Sequence, residues 1–185
     1  MMVYQREFKG KSLLLFTSDY TVVDIETNGK IERLGKIIEI SAIRIRNNEP
    51  DAHFSTLINP HEKLSPFIKQ LTGITDDMVS GAPEIGEVLK EFKRFLGNDI
   101  VLGHNVHFDV NFLYDHSYRF INEPFPNDMI DTLRLARRYL SLPRNRLDDL
   151  VSYYHFDQRS LHRALNDCYL THLVYQAMRK DYENL

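Results

Sequence analysis

The chain has 185 residues, of which 43% are hydrophobic and 26% charged, with one cysteine and a formal net charge of −3. That balance fits a single globular domain and excludes a disordered chain, a collagen and a coiled-coil rod. A lone Cys168 excludes an internal disulfide and a cysteine-based zinc site, and the overall sign excludes a globally basic nucleic-acid binder.

The longest apolar run, Leu13 to Phe16, is far below the roughly 18 residues of a membrane span. It is also too short for the apolar region of a signal peptide, so the expected compartment is the cytoplasm, with no membrane partner. Residues 1–19 read as an N-terminal extension with a strand near Leu13 to Phe16, and residues 20–185 as the domain proper. Tyr20 to Thr27 is rich in β-branched residues and predicts a strand, closed by the turn Asn28-Gly29. Ile37 to Arg46 predicts a second strand, Asn47 to Pro50 a turn, and His53 to Ile58 a third strand. Three strands joined by short turns suggest an antiparallel meander.

After Pro60 the periodicity changes. Ile85, Val88, Leu89, Phe92 and Phe95-Leu96 recur at helical spacing, and Gly97 is placed to end that helix. Ile100 to Gly103 predicts a short buried strand, and Val106, Val110 and Leu113 predict a helix after it. Met129 to Asp131 reads as a strand and Leu133 to Leu140 as a helix. Leu147, Leu150, Val151 and Tyr154 form a further helical stripe. Leu170, Leu173, Val174, Ala177 and Met178 give the last helix its apolar face. The fold expected is α/β: an antiparallel meander followed by parallel strands in one mixed sheet, covered by helices.

Charge is unevenly distributed. Residues 131–163 hold arginines 134, 137, 138, 144, 146, 159 and 163 against four aspartates, a local excess of +3 over an acidic remainder. Such a basic face on an acidic body suits a protein that binds a polyanion and holds metal ions in carboxylates, although Arg-rich helix surfaces are also commonly just solvated.

Four acids stand out. Asp24 and Glu26 alternate along a strand and so share one face, about 7 Å apart at Cα. Asp109 falls in the first turn of a helix, where the helix dipole favours an acid whatever its role. Asp167 continues the apolar stripe of the last helix, where a charge needs a partner. His162 precedes Asp167 by five residues, about 140° away around a helix, so both face one site only if His162 lies on the loop before it. The other histidines, His53, His61, His116, His155 and His172, are expected on the surface. Brought to one sheet edge, the four acids would suit two hard divalent cations, magnesium or manganese, the usual apparatus for in-line displacement at phosphorus.

Asp24-Ile25-Glu26-Thr27, His104-Asn105-x-x-Phe108-Asp109 and His162-x-Ala164-x-x-Asp167 resemble, in order and separation, the three exonuclease motifs of the DEDD superfamily. The histidine five residues before the last aspartate is the mark of its DEDDh branch. That branch includes the proofreading epsilon subunit of DNA polymerase III, the exonuclease domain of PolC-type polymerases, ribonuclease T and oligoribonuclease. Leu71-Thr72-Gly73-Ile74-Thr75 also resembles the proofreading type.

The resemblance implies a ribonuclease H-like fold and release of 5′-mononucleotides from a free 3′ end. It implies two Mg2+ or Mn2+ ions held by Asp24, Glu26, Asp109 and Asp167, with His162 as general base. Thr27, His104, Asn105 and Phe108 would hold the terminal nucleotide, and Phe108 is as well placed to be plain core. The expected substrate is DNA with a frayed or single-stranded 3′ end, in a proofreading- or repair-like role. The alternative is an exoribonuclease of the ribonuclease T or oligoribonuclease type. A DNA polymerase partner is also implied, although no counterpart of the epsilon subunit's polymerase-gripping tail follows the last helix.

Overall fold

The computed structural model describes residues 6–7, 9–32, 34–157 and 163–184. Its six strands are Ser12–Leu13 (β1), Tyr20–Thr27 (β2), Ile37–Arg46 (β3), Glu49–Leu57 (β4), Val101–Gly103 (β5) and Met129–Asp131 (β6). They form one sheet in the order β1-β6-β5-β2-β3-β4. β2, β3 and β4 pair antiparallel as the expected meander, while β5 and β6 join parallel to β2, and β1 parallel to β6.

The β3–β4 turn is tighter than its composition suggests. Asn47 and Asn48 take left-handed φ values of 50° and 68°, the conformation that a two-residue primed hairpin requires and asparagine tolerates. β4 therefore begins at Glu49 and runs through Pro50, earlier than the expected start at His53. Proline is accommodated because β4 is the outer strand, where a missing N–H need not break a ladder, and because the register shifts beside it at Arg44/Ile45.

Alternation along β2 divides the core in two. Val23 and Ile25 face a cluster closed by the helices Ile85–Leu96 (α3) and His107–Ile121 (α4). Tyr20 and Val22 face a second cluster, closed by Thr132–Tyr139 (α5), Leu147–Tyr153 (α6) and Ala164–Glu183 (α7). Asp24 and Glu26 follow Tyr20 and Val22 in parity and so lie on the α7 side. Each fully buried aliphatic side chain contributes roughly 1.5–3 kcal/mol, so clusters on both faces hold the strand rigid up to the residue where its acids begin.

Two short helices, Pro66–Thr72 (α1) and Asp76–Ser80 (α2), were not anticipated. Their signals are the caps: Ser65 accepts from Ile68 N–H and is followed by a proline at the first helical position, and Thr75 accepts from Met78 N–H. The Leu71–Thr75 segment is the joint between them, with Thr72 Oγ1 accepting from Ile74 N–H at 3.1 Å. Two histidines expected on the surface are buried. His116 Nδ1 lies 2.9 Å from Phe112 O, and His172 Nδ1 lies 2.9 Å from the Tyr20 hydroxyl. Both occupy core-facing turns of their helices and are satisfied there.

Candidate active site

β2 stops being apolar at Asp24, and from that residue the sheet's C-terminal end carries acids. One carboxylate oxygen from each of Asp24, Glu26 and Asp167 lies within 4.8 Å of the others. β2 supplies the first two and the opening turn of α7 the third. Asp109, in the first turn of α4, is 5% exposed. Its Oδ1 accepts from the backbone N–H of Ile25 at 3.1 Å, which fixes it between the two β2 acids along the chain. The structure thus gathers all four expected acids, three as a ligand-like group and Asp109 locked against the strand beside them.

The electrostatics are those of uncompensated negative charge. Burial, then the carboxylates of Asp109, Asp167, Glu26 and Glu39, hold Asp24 well above the usual carboxylate range. Glu26 is pushed up to about 7 by burial, then by Asp167 and Glu39, with Arg163 opposing. Asp109 is pushed up to about 8, chiefly by burial, against the pull of Ile25 N–H. Protonation is one relief of this strain; a divalent cation is the other, and an all-oxygen donor set of this kind suits a hard ion. The cluster is compatible with divalent-metal binding by its own charge and chemistry.

A second wall of the site forms where β5 ends. Built as an ideal Cβ, a side chain at Gly103 would stand 2.7 Å from Val106 Cγ2 and 3.0 Å from Val23 O. Only glycine lets the following residues turn so close to β2. Asn105 then adopts a left-handed φ of 59°, with its N–H bonded to Asp131 Oδ1 at 2.9 Å. Asp131 also caps α5 through Leu133 N–H at 2.9 Å. His104 Nδ1 lies 2.9 Å from Thr132 Oγ1, and burial lowers its pKa. Asn105 is exposed, and Thr27 Oγ1 donates to Gly29 O at 2.7 Å. Phe108 is half-buried, packed on the core with its ring 4.9 Å from that of Phe112.

His104 and Asn105 form one end of a groove of about 630 Å³ whose other walls include Arg137, Arg144 and Arg146. Three of the seven arginines thus share one face next to the site. Arg163 instead reaches Glu39, at 3.2 Å. Arg159 and His162 lie outside the described residues.

Sequence reading missed Glu39 on β3, which stands directly opposite Glu26 and is 2% exposed. In a strand with both faces covered, alternation assigns no side to water, and the β2–β3 register shifts at Glu26/Thr27. The sequence places Asp131 at a strand end and leaves Thr132 between that strand and the next helix; the one hint of their role is an aspartate placed to cap α5.

A family model described as Exonuclease, of the RNase_T type, matches residues 21–175. A PolC-type DNA polymerase III of Oceanobacillus iheyensis is 39% identical over 176 residues, covering 92% of this chain and 12% of that protein. One from a bovine strain of Staphylococcus aureus is 37% identical over 179 residues, covering 96% and 12%. This chain therefore spans about an eighth of the length of these polymerases. Among solved structures, Exonuclease X in complex with 5′-overhanging duplex DNA superposes with a TM-score of 0.70 at 25% identity, covering 88% of this chain and 92% of that one. E. coli Exonuclease I in complex with a dT13 oligonucleotide gives 0.75 at 21%, covering 90% and 43%, a likeness of fold. With the acids of all three motifs converging on one sheet edge, the chain belongs to the DEDD-type exonuclease family.

Proposed function

We propose that the protein is a divalent-metal-dependent 3′→5′ exonuclease that releases 5′-mononucleotides from frayed or single-stranded DNA ends. The observation that carries this is the convergence of Asp24, Glu26 and Asp167 within 4.8 Å, with Asp109 locked beside them. In this reading the four carboxylates hold two Mg2+ or Mn2+ ions. Bound there, such ions would neutralise the acids, activate a water and stabilise the attacking and leaving oxygens of an in-line displacement.

The chain's own residues do the rest. His162 takes the attacking water's proton on a ring nitrogen as the water oxygen bonds to phosphorus. The bond from phosphorus to the 3′ oxygen breaks, which leaves a new 3′-hydroxyl and a free 5′-mononucleotide. Thr27, His104 and Asn105 hold the terminal nucleotide, and the half-exposed Phe108 edge offers a base a stacking surface. The Arg137–Arg144–Arg146 groove, continuous with His104 and Asn105, takes the phosphates of the strand behind it.

DNA is favoured as substrate by the likeness to DNA polymerase III over nearly the whole chain and by the DNA-bound state of the Exonuclease X structure. The same likeness supports a proofreading- or repair-like role in the cytoplasm, with a DNA polymerase as partner. No helix among the described residues is long and apolar enough to cross a membrane. Residues 20–185 form the catalytic unit in this reading, and residues 1–19 an extension.

The test is digestion of 5′-labelled single-stranded DNA and RNA oligomers of matched sequence. A ladder of shortening DNA products, absent with excess EDTA, is expected. Immediate release of labelled mononucleotide would reverse the polarity. Faster loss of the RNA would move the protein to the exoribonuclease class, and full activity in EDTA would remove the metal-dependent mechanism.

A further inference from the structure

Asp131 ends β6 opposite Gly103 of β5 and is the N-cap of α5. It is 3% exposed, and two residues it bonds, Asn105 and Leu133, line the arginine groove. A negative charge so placed opposes any phosphate that enters, so charge is not what the groove gains from it. Its Oδ1 accepts from the N–H of Leu133 at 2.9 Å and from the N–H of Asn105 at 2.9 Å. A helix cap needs only the first of these. The buried Thr132 adds a further tie: its hydroxyl donates to Gly103 O at 3.2 Å and lies 2.9 Å from His104 Nδ1.

These bonds hold a turn of uncommon shape. Asn105 has a φ of 59°, which asparagine tolerates better than most residues but which few side chains adopt. Such a conformation persists where its surroundings over-determine it, and it clusters where ligands are gripped. The Asn105 carbonyl accepts from Phe108 N–H at 3.0 Å, so the turn runs directly into α4 and Asp109. On the other side, Leu133 lies one helical turn before Arg137 on α5, and both line the groove. Asn105 itself is left exposed at the groove's end.

We infer that Asp131, helped by Thr132, is a positioning residue for substrate: one oxygen sets the His104–Asn105 turn against the start of α5, so that the terminal nucleotide and the phosphate behind it meet a preformed grip. This rests on the exonuclease reading and concerns binding, since Asp131 stands outside the cluster of Asp24, Glu26 and Asp167. It also accounts for a buried acid beside a phosphate groove. The position needs an acceptor oxygen that reaches two N–H groups, and an aspartate side chain is long enough to supply one where a serine cap is one bond too short.

The test compares Asp131→Ser, Asp131→Asn, Asn105→Gly and the double variant Asp131→Ser/Asn105→Gly in the full chain. Turnover and KM are measured on a single-stranded DNA oligomer at saturating Mn2+, Mn2+ affinity by electron paramagnetic resonance without DNA, and the fold by thermal unfolding. Asp131→Ser keeps a good helix cap but gives up the turn. It should raise KM by about tenfold or more, up to the roughly 10²-fold that a misplacement of about 1 Å costs. Its turnover should hold within about threefold, because losing binding common to the ground and transition states raises KM alone. Melting temperature and Mn2+ affinity should stay near those of the wild type. Asp131→Asn keeps the acceptor oxygen and should recover most of the KM. Asn105→Gly removes the presented side chain and should raise KM, and adding Asp131→Ser to it should cost little more.

An active enzyme whose KM is unchanged in Asp131→Ser, or in Asn105→Gly, would overturn the inference and leave the exonuclease reading standing. So would a double variant that shows the product of the two single losses. A fall in Mn2+ affinity shared by Asp131→Ser and Asp131→Asn would make the residue's charge part of the metal site instead. A rise in KM matched by a large drop in melting temperature would reduce Asp131 to a helix cap. Wild-type protein that leaves DNA intact at saturating Mn2+ would strike the exonuclease reading itself, and the positioning role with it.

Discussion

The two ends of β2 treat buried carboxylates in opposite ways. Near its start, Thr21 Oγ1 donates to Asp99 at 2.6 Å, and Arg46 donates to both oxygens of Asp99 at 2.8 Å, with Arg44 a further 3.6 Å away. Three residues further on, Asp24, Glu26, Asp109 and Asp167 crowd together, with Arg163 the cation that opposes the rise in Glu26. Local sequence does not explain the difference, since both ends lie in the same buried strand. The first end is organised to be stable, and the second keeps negative charge for something that is to bind. Stability is thus given up at one end of a strand and recovered at the other.

The largest way to test that contrast is to remove charge from the crowded end. Asp167→Asn should abolish oligomer degradation while leaving the metal-free protein as stable as before or more so, because it relieves repulsion on Asp24 and Glu26. Thermal unfolding in EDTA, set beside a gel-based nuclease assay, checks both halves. A variant that melts well below the wild type would show that the acids stabilise the fold instead.

Asp99→Ala should do the reverse. It leaves the Thr21 hydroxyl without Asp99 and takes the carboxylate from Arg46 and Arg44, which keep the carbonyls of Ile45 and Phe95, at a cost of about 1 kcal/mol. For a protein of this size each kcal/mol lowers the melting temperature by roughly 2–4 °C. Turnover at 25 °C should be unaffected, because Asp99 lies at the far end of the strand. A melting temperature unchanged by the substitution would mean that the ion pairs there contribute nothing net.

A third and smaller effect is the pH dependence of stability without metal. Glu26 at about 7 and Asp109 at about 8 stand above their ordinary values of 4.5 and 3.8. Between those limits the folded state binds more protons than the unfolded chain, so stability falls as pH rises. Metal-free protein should therefore melt at a lower temperature at pH 8 than at pH 5.5, and saturating Mn2+ should flatten or invert that slope. Rising stability over the same range in EDTA would contradict the crowded-acid picture.

These contrasts also mark what the amino-acid sequence could convey. The acids were legible because their neighbours are periodic: Asp24 and Glu26 interrupt an apolar strand, and Asp109 and Asp167 open helices whose stripes are plain. The mixed sheet followed from the change of period after Pro60. What stayed hidden depends on register and packing. Glu39 is catalytically interesting only because it meets Glu26 across a ladder, and nothing local fixes that ladder. His116 and His172 look like surface histidines until the helix face they occupy is known. α1 and α2 are too short for periodicity, so only their caps announce them.

The N-terminal residues have a use that the sheet order makes plain. Lys11 O accepts from Met129 N–H at 2.8 Å, Lys11 N–H donates to Asp128 at 2.7 Å, and β1 covers the outer side of β6. A Cβ at Gly10 would collide with Asn127 O, so the segment lies flush against the body. Arg6 fastens it further with a two-toothed grip on Asp115 at 2.8 and 2.9 Å. Cutting the chain back to Tyr20, as an alignment-minded engineer would, bares the flank of β6. Its free N–H and C=O groups would then form a template for a second molecule. Residues 10–13 act as a selvedge, the finished border that keeps a woven edge from catching on its neighbour.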